Sequence, residues 1–89
     1  MKGNTVSELR ASDGTTLGTY STGAGPTGVV FDGTNIWVTN QSSGTVTELR
    51  ASDGTTIGTF NVGLGPQGAA FDGMNIWVVN SGSKTVSKL

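Results

Sequence analysis

The acidic residues of the chain are Glu8, Asp13, Asp32, Glu48, Asp53 and Asp72, set against no histidine and no cysteine. That inventory removes several chemistries at once. A Ser-His or Cys-His nucleophile pair cannot be assembled, nor can a Cys/His zinc set. Calcium loops alternate oxygen ligands along Asp-x-Asp-x-Asp-Gly, whereas Asp53-Gly54 stands alone. Asp13, Asp53, Asp32 and Asp72 each precede a glycine and read as turn residues. Glu8 and Glu48 each stand two positions before an arginine, Arg10 or Arg50, and read as same-face, solvated or weakly paired charge. The segments Gly23-Ala24-Gly25-Pro26 and Gly63-Leu64-Gly65-Pro66 carry no Lys-Ser/Thr and open no helix, so they are crossover turns, not phosphate cradles. No catalytic residue, cofactor or metal is expected.

Two further features have a recognition chemistry. Trp37 and Trp77 could stack on sugars, but both fall mid-strand at equivalent places, and packing is the favoured reading. Asn40-Gln41-Ser42 matches a glycosylation acceptor, while Asn80-Ser81-Gly82 does not, so the match reads as chance. A net charge of −1 gives no pull towards nucleic acid or anionic lipid. The apolar runs are far shorter than a membrane span, and Met1-Lys2-Gly3-Asn4 begins no signal-peptide core; a soluble chain is expected.

What positions these residues is repetition. Residues 5–44 and 45–84 align without gaps at a period of 40 and differ at 14 positions, and a third copy begins at Thr85. A period near 40 with short strands marks a propeller blade or array, whose units need neighbours to cover them. Each copy reads as four strands. Gly28–Asp32 (a) leads through the Asp32-Gly33 turn into Asn35–Asn40 (b). Gln41–Gly44 then turns into Thr45–Arg50 (c), and Ser52-Asp53-Gly54 into Thr55–Val62 (d). In strand b Ile36 and Val38 face one way and Trp37 the other, as a sheet covered on both faces requires. The fold class is all-β: four-stranded antiparallel meanders forming β-propeller blades, with Trp37, Trp77, Ile36, Ile76, Phe31, Phe71, Tyr20 and Phe60 packing between blades.

Trp37-Val38-Thr39-Asn40, followed by Ser-Gly-Thr-Val-Thr and set against Gly-Ala-Gly-Pro-Thr-Gly-Val, resembles the YVTN repeat of bacterial and archaeal β-propellers. Trp replaces the Tyr that names that repeat, and the second copy reads Trp77-Val78-Val79-Asn80. The likeness covers essentially the whole chain and extends to the broader NHL-like class. It implies six to eight blades and parent proteins that are often periplasmic or on the cell surface. The lyases of that class use a histidine and a divalent metal, and a chain without histidine cannot inherit that activity.

In strand order the chain runs c-d-a-b-c-d-a-b-c. Residues 1–24 supply strands c and d of a split blade and residues 25–64 a complete one. Residues 65–89 supply strands a and b plus a partial third c strand, to be completed by a neighbouring chain. The expected partner is the chain itself, joined head to tail into a ring. Six blades from three copies are favoured, with eight from four as the alternative. Thr85–Leu89 then must displace Thr5–Leu9 of the neighbour, add as an outer strand, or fray. The alternative function is a binding module for a small glycan or a peptide. It would use a rim formed by the b–c turns and d–a crossovers, with Asn40, Gln41, Asn80, Ser81 and Gln67 as candidate contacts.

Overall fold

A computed structural model describes residues 4–9 and 12–89. Within them the chain forms nine strands: β1 (Thr5–Leu9), β2 (Thr16–Ser21), β3 (Pro26–Phe31), β4 (Asn35–Asn40), β5 (Thr45–Arg50), β6 (Thr56–Asn61), β7 (Pro66–Phe71), β8 (Ile76–Asn80) and β9 (Thr85–Lys88). They fall into three antiparallel sheets, ordered β1-β2, β3-β4-β5-β6 and β7-β8-β9. Every pair is sequential, so each sheet is a meander, and among the described residues only the middle blade has all four strands. No helix of the described residues is long and apolar enough to cross a membrane.

The turn chemistry works as the residue types require. Gly14 and Gly54 hold φ of 77° and 76° in the c–d hairpins. Strand a begins earlier than its apolar run suggests, at Pro26 and Pro66. Register slips follow each proline, between Pro26 and Gly28 and between Pro66 and Ala69. Proline fits such a place because it has no N–H to give to the ladder.

The blades pack face against face. Val46, Ile76 and Val78 form the core between the middle and last sheets, with Val30, Trp37, Val62, Ala69 and Leu89 packed around them. The opposite parity sends Val38 and Leu49 towards the first sheet, where they are 2% and 3% exposed. Polar groups of β3 and β4 stitch the seam to β7. Thr39 Oγ1 donates to the Gln67 carbonyl at 2.8 Å, and Thr27 Oγ1 to the Pro66 carbonyl at 3.2 Å. Gly28 lies so close to the Gln67 carbonyl that a Cβ there would collide with it.

Candidate functional site

The seam between the middle and last sheets is intact, and its contacts are the reference for the faces at either end of the described residues. In the intact seam, strands a and b of the middle blade offer Val30 and Trp37, which pack on Ile76 and Val78 of the last blade. The Phe60 ring lies 5.7 Å from that of Trp37, tilted by 31°. The first blade has strands c and d only. A cleft of about 210 Å3 therefore opens between it and the middle blade, lined by Val6, Tyr20, Val29, Ile36 and Leu49 among others. A second hollow of about 200 Å3 continues beside it, over Pro26, Gly28 and Val38. Both lie where strands a and b of a full blade would pack. Val29 and Phe31 consequently stand 59% and 55% exposed.

At the other end the last blade shows an uncovered face. Trp77, Val79 and Val86 are 40%, 49% and 59% exposed. Val79 and Val86 are direct cross-strand partners. The Lys88 ammonium lies 5.2 Å from the centre of the Trp77 ring, a cation held over an aromatic face.

The tryptophans are aimed by the a–b turns. Asp32 Oδ1 accepts the N–H groups of Thr34 and Asn35 at 2.8 and 2.7 Å, and its Oδ2 accepts the Trp37 indole N–H at 2.8 Å. Asp72 repeats the arrangement with Met74, Asn75 and Trp77 at 2.8, 2.7 and 2.6 Å. The indole N–H of Trp77, then the two backbone N–H groups, hold the Asp72 carboxyl down to about 2. At Asp32 burial works against ionisation, but the Asn35, Trp37 and Thr34 donors outweigh it and the pKa is lowered. Reading these aspartates as turn residues finds the turn and misses the indole. The signal was the Asp-x-x-x-x-Trp spacing, present in both copies.

Each site residue of the sequence reading can now be placed. Trp37 packs in the seam and Ile76 is buried at 2% exposure. Ile36 lines the cleft beside Tyr20. Tyr20 lies flush on the c–d turn of the middle blade, where a Cβ at Gly54 would overlap its ring. Its phenol donates to Glu8 Oε1 at 3.0 Å. That hydrogen bond, followed by burial and the negative charges of Glu8 and Asp53, raises the phenol pKa. Phe31, Phe60, Phe71 and Trp77 are not enclosed between blades in the single chain; their exposures run from 37% to 55%. For Phe31 and Trp77 the reason is direct: among the described residues Phe31 faces a first sheet with only two strands, and no further sheet lies over Trp77.

Asn40 and Asn80 are not rim contacts, because both are 0% exposed. Asn40 Nδ2 donates to Thr45 and Thr47 hydroxyls at 3.2 and 2.9 Å, and Asn80 Nδ2 to Thr85 and Ser87 at 3.3 and 2.9 Å. The d–a crossover lies over the b–c turn, with Gln41 N–H donating to Gly25 O at 2.8 Å and Ser81 N–H to Gly65 O at 3.1 Å. Gln41, Ser81 and Gln67 remain exposed. Glu48, expected to be solvated, is buried and accepts from Asn35 Nδ2 at 2.8 Å. Its neighbour Arg50 pairs with Asp53 at 3.3 Å instead. Glu8 is exposed, and Arg10, expected on the same side, lies outside the described residues. Among the described residues no three of Asp, Glu, His and Cys come together as a metal could use them.

No family model matches the sequence, and no curated protein matches it as a relative. Among solved structures the chain is similar to hydrazine synthase of Kuenenia stuttgartiensis, with a TM-score of 0.85 and 24% identity over 98% of this chain. The match spans 26% of that chain. At that identity the likeness is one of fold, and it joins the three sheets in the same conclusion: an all-β chain of antiparallel meanders arranged as propeller blades.

Proposed function

We propose that this chain is a structural module that joins copies of itself head to tail into a closed propeller. The observation that carries the reading is a match between its two ends. The intact seam is made by a tryptophan and a small apolar residue from strands b and a, laid on the next sheet. One end of the chain presents that pair uncovered, Trp77 with its cross-strand partner Ala70. The other end presents the empty cleft over Val29, Ile36 and Leu49 that would receive it. A contact between different surfaces of identical copies must close or run on as a fibre, and closure leaves no sheet edge open. With two blades' worth of strands per chain, three copies give six blades and four give eight. The trimer stays the preferred closure because it needs fewer chains. No step of chemistry is assigned to the module, because its carboxylates are engaged in turns and side-chain hydrogen bonds.

Light scattering at tens of micromolar tests the reading. The expected result is a monodisperse mass of three or four chains. A monodisperse single chain overturns it.

A further inference from the structure

We infer that β9 is a replaceable occupant of its place in the last blade, and that in the assembled ring the β1–β2 hairpin of a second copy takes that place. The inference rests on the ring reading above and specifies how the ring is joined.

β9 does not fray in the single chain. It pairs with β8 in the register that β5 uses on β4: Trp77 faces Lys88 as Trp37 faces Glu48, and Val78 faces Ser87 as Val38 faces Thr47. The third place of the last blade is therefore filled from within. A neighbour's β1 and β9 compete for it, since Thr5-Val6-Ser7-Glu8-Leu9 and Thr85-Val86-Ser87-Lys88-Leu89 differ at one residue only.

That residue decides between them. In the complete blade the residue opposite the tryptophan is Glu48, which is buried and accepts the Asn35 amide. β9 offers Lys88 there, which has no acceptor for Asn75, the counterpart of Asn35. Among the described residues the Asn75 amide has no hydrogen-bond partner of this kind, and Lys88 turns outwards over the Trp77 ring. Glu8 of a second copy restores the carboxylate. It arrives with the Tyr20 phenol already bonded to it, as one hairpin.

The turn that delivers β9 points the same way. Gly44 of the complete blade has φ of 66°, and its counterpart Lys84 has φ of 58°, the one non-glycine residue at positive φ among the described residues. A side chain in that region strains the backbone, so the turn holding β9 in place is the weaker of the two. β9 also spans four residues against six for β5, and among the described residues no strand pairs with its outer edge. The neighbour's hairpin supplies both missing elements, a c strand with the acceptor and a d strand to close the edge.

The absence of cysteine makes the exchange directly readable. In the single chain Val79 stands opposite Val86. After exchange it stands opposite Val6 of the second copy. A Val6→Cys, Val79→Cys variant, oxidised in the assembled fraction, should give chains covalently linked to one another on a non-reducing gel. A Val79→Cys, Val86→Cys variant should close within one chain when dilute and lose that closure on assembly. Equal intrachain closure in both fractions, with no link between copies in the first variant, overturns the exchange while the mass of the ring still stands. A mass that never exceeds one chain overturns the ring reading and the exchange with it. A second measurement needs no disulfide. Lys84→Gly with Lys88→Glu should hold β9 more firmly and raise the concentration at half-assembly roughly tenfold. An unchanged midpoint for that variant also overturns the exchange.

Discussion

Replacing Gly54 by valine and Gly14 by valine separates two effects that coincide in the sequence. Both glycines occupy the same place in successive c–d hairpins, with φ of 76° and 77°. Valine at either position meets the same backbone penalty, about 1–2 kcal/mol for a side chain in the left-handed region. Beyond that the two sites diverge. A Cβ at Gly14 has nothing within 4 Å, whereas one at Gly54 overlaps the Tyr20 ring laid on it by the preceding blade. Displacing a packed ring adds about 1–3 kcal/mol, the usual range for overpacking. Gly14→Val should thus cost about 1–2 kcal/mol and Gly54→Val about 2–5 kcal/mol. Urea unfolding of dispersed chains, followed by tryptophan emission, measures both. In a Tyr20→Ala background the Gly54→Val loss should fall to the Gly14→Val value, since only the backbone component is left. Equal losses at the two glycines with Tyr20 in place would refute the contact between Tyr20 and the Gly54 turn, and with it the face-to-face packing of the first two blades.

Other outcomes are expected from the same structure. The depressed carboxyl of Asp72 adds stability that is fully present above the ordinary carboxylate range near 4 and is lost as the pH falls through about 2. Asp72→Asn should remove part of the acid transition in circular dichroism, and an unshifted acid midpoint would contradict the Asp72–Trp77 bond. Thr39→Val leaves the Gln67 carbonyl without its seam donor and should cost about 1–2 kcal/mol in urea unfolding; a gain in stability would argue against that contact. In dispersed chains Trp37→Ala should cost about 3–5 kcal/mol and Trp77→Ala clearly less, while assembly should equalise the two. Iodide should quench Trp77 more readily than Trp37 at low concentration only, and equal quenching there would overturn the assignment of Trp77 to an open face.

The fold was legible because hydrophobic parity, turn dipeptides and the 40-residue period all describe local or nearest-neighbour relations. Mixed parity in strand b foretold that Val38 and Trp37 face different blades, and both do. The site was less legible because its decisive contacts depend on what lies across a seam. Glu48 looks like surface charge until Asn35 is placed opposite the same face. Asn40 sits beside a turn in the sequence, yet the crossover from the preceding strand d covers it. The Gly44-to-Lys84 difference reads as variation between copies, although a glycine at one of two equivalent places already hinted at positive φ in both. The sequence reading leaves Pro26 and Pro66 in the crossover before strand a, whereas the structure begins the strand at them, because the missing N–H falls at a register slip where no ladder bond is lost.

The ladders of this chain stop at the blade boundary. Backbone pairing joins neighbours in sequence within a sheet, and the seam between sheets is made by side chains reaching lone carbonyls, as Thr39 does to Gln67. Lengthening such a gene by one 40-residue unit therefore leaves every existing strand pairing intact and asks only that one standard face meet another. Selection then acts on faces and not on registers. A substitution such as Val30 to Ala70 changes the relief of one seam without disturbing the hairpin that carries it, so copies can drift apart in sequence at the seams while their strand pairing is kept.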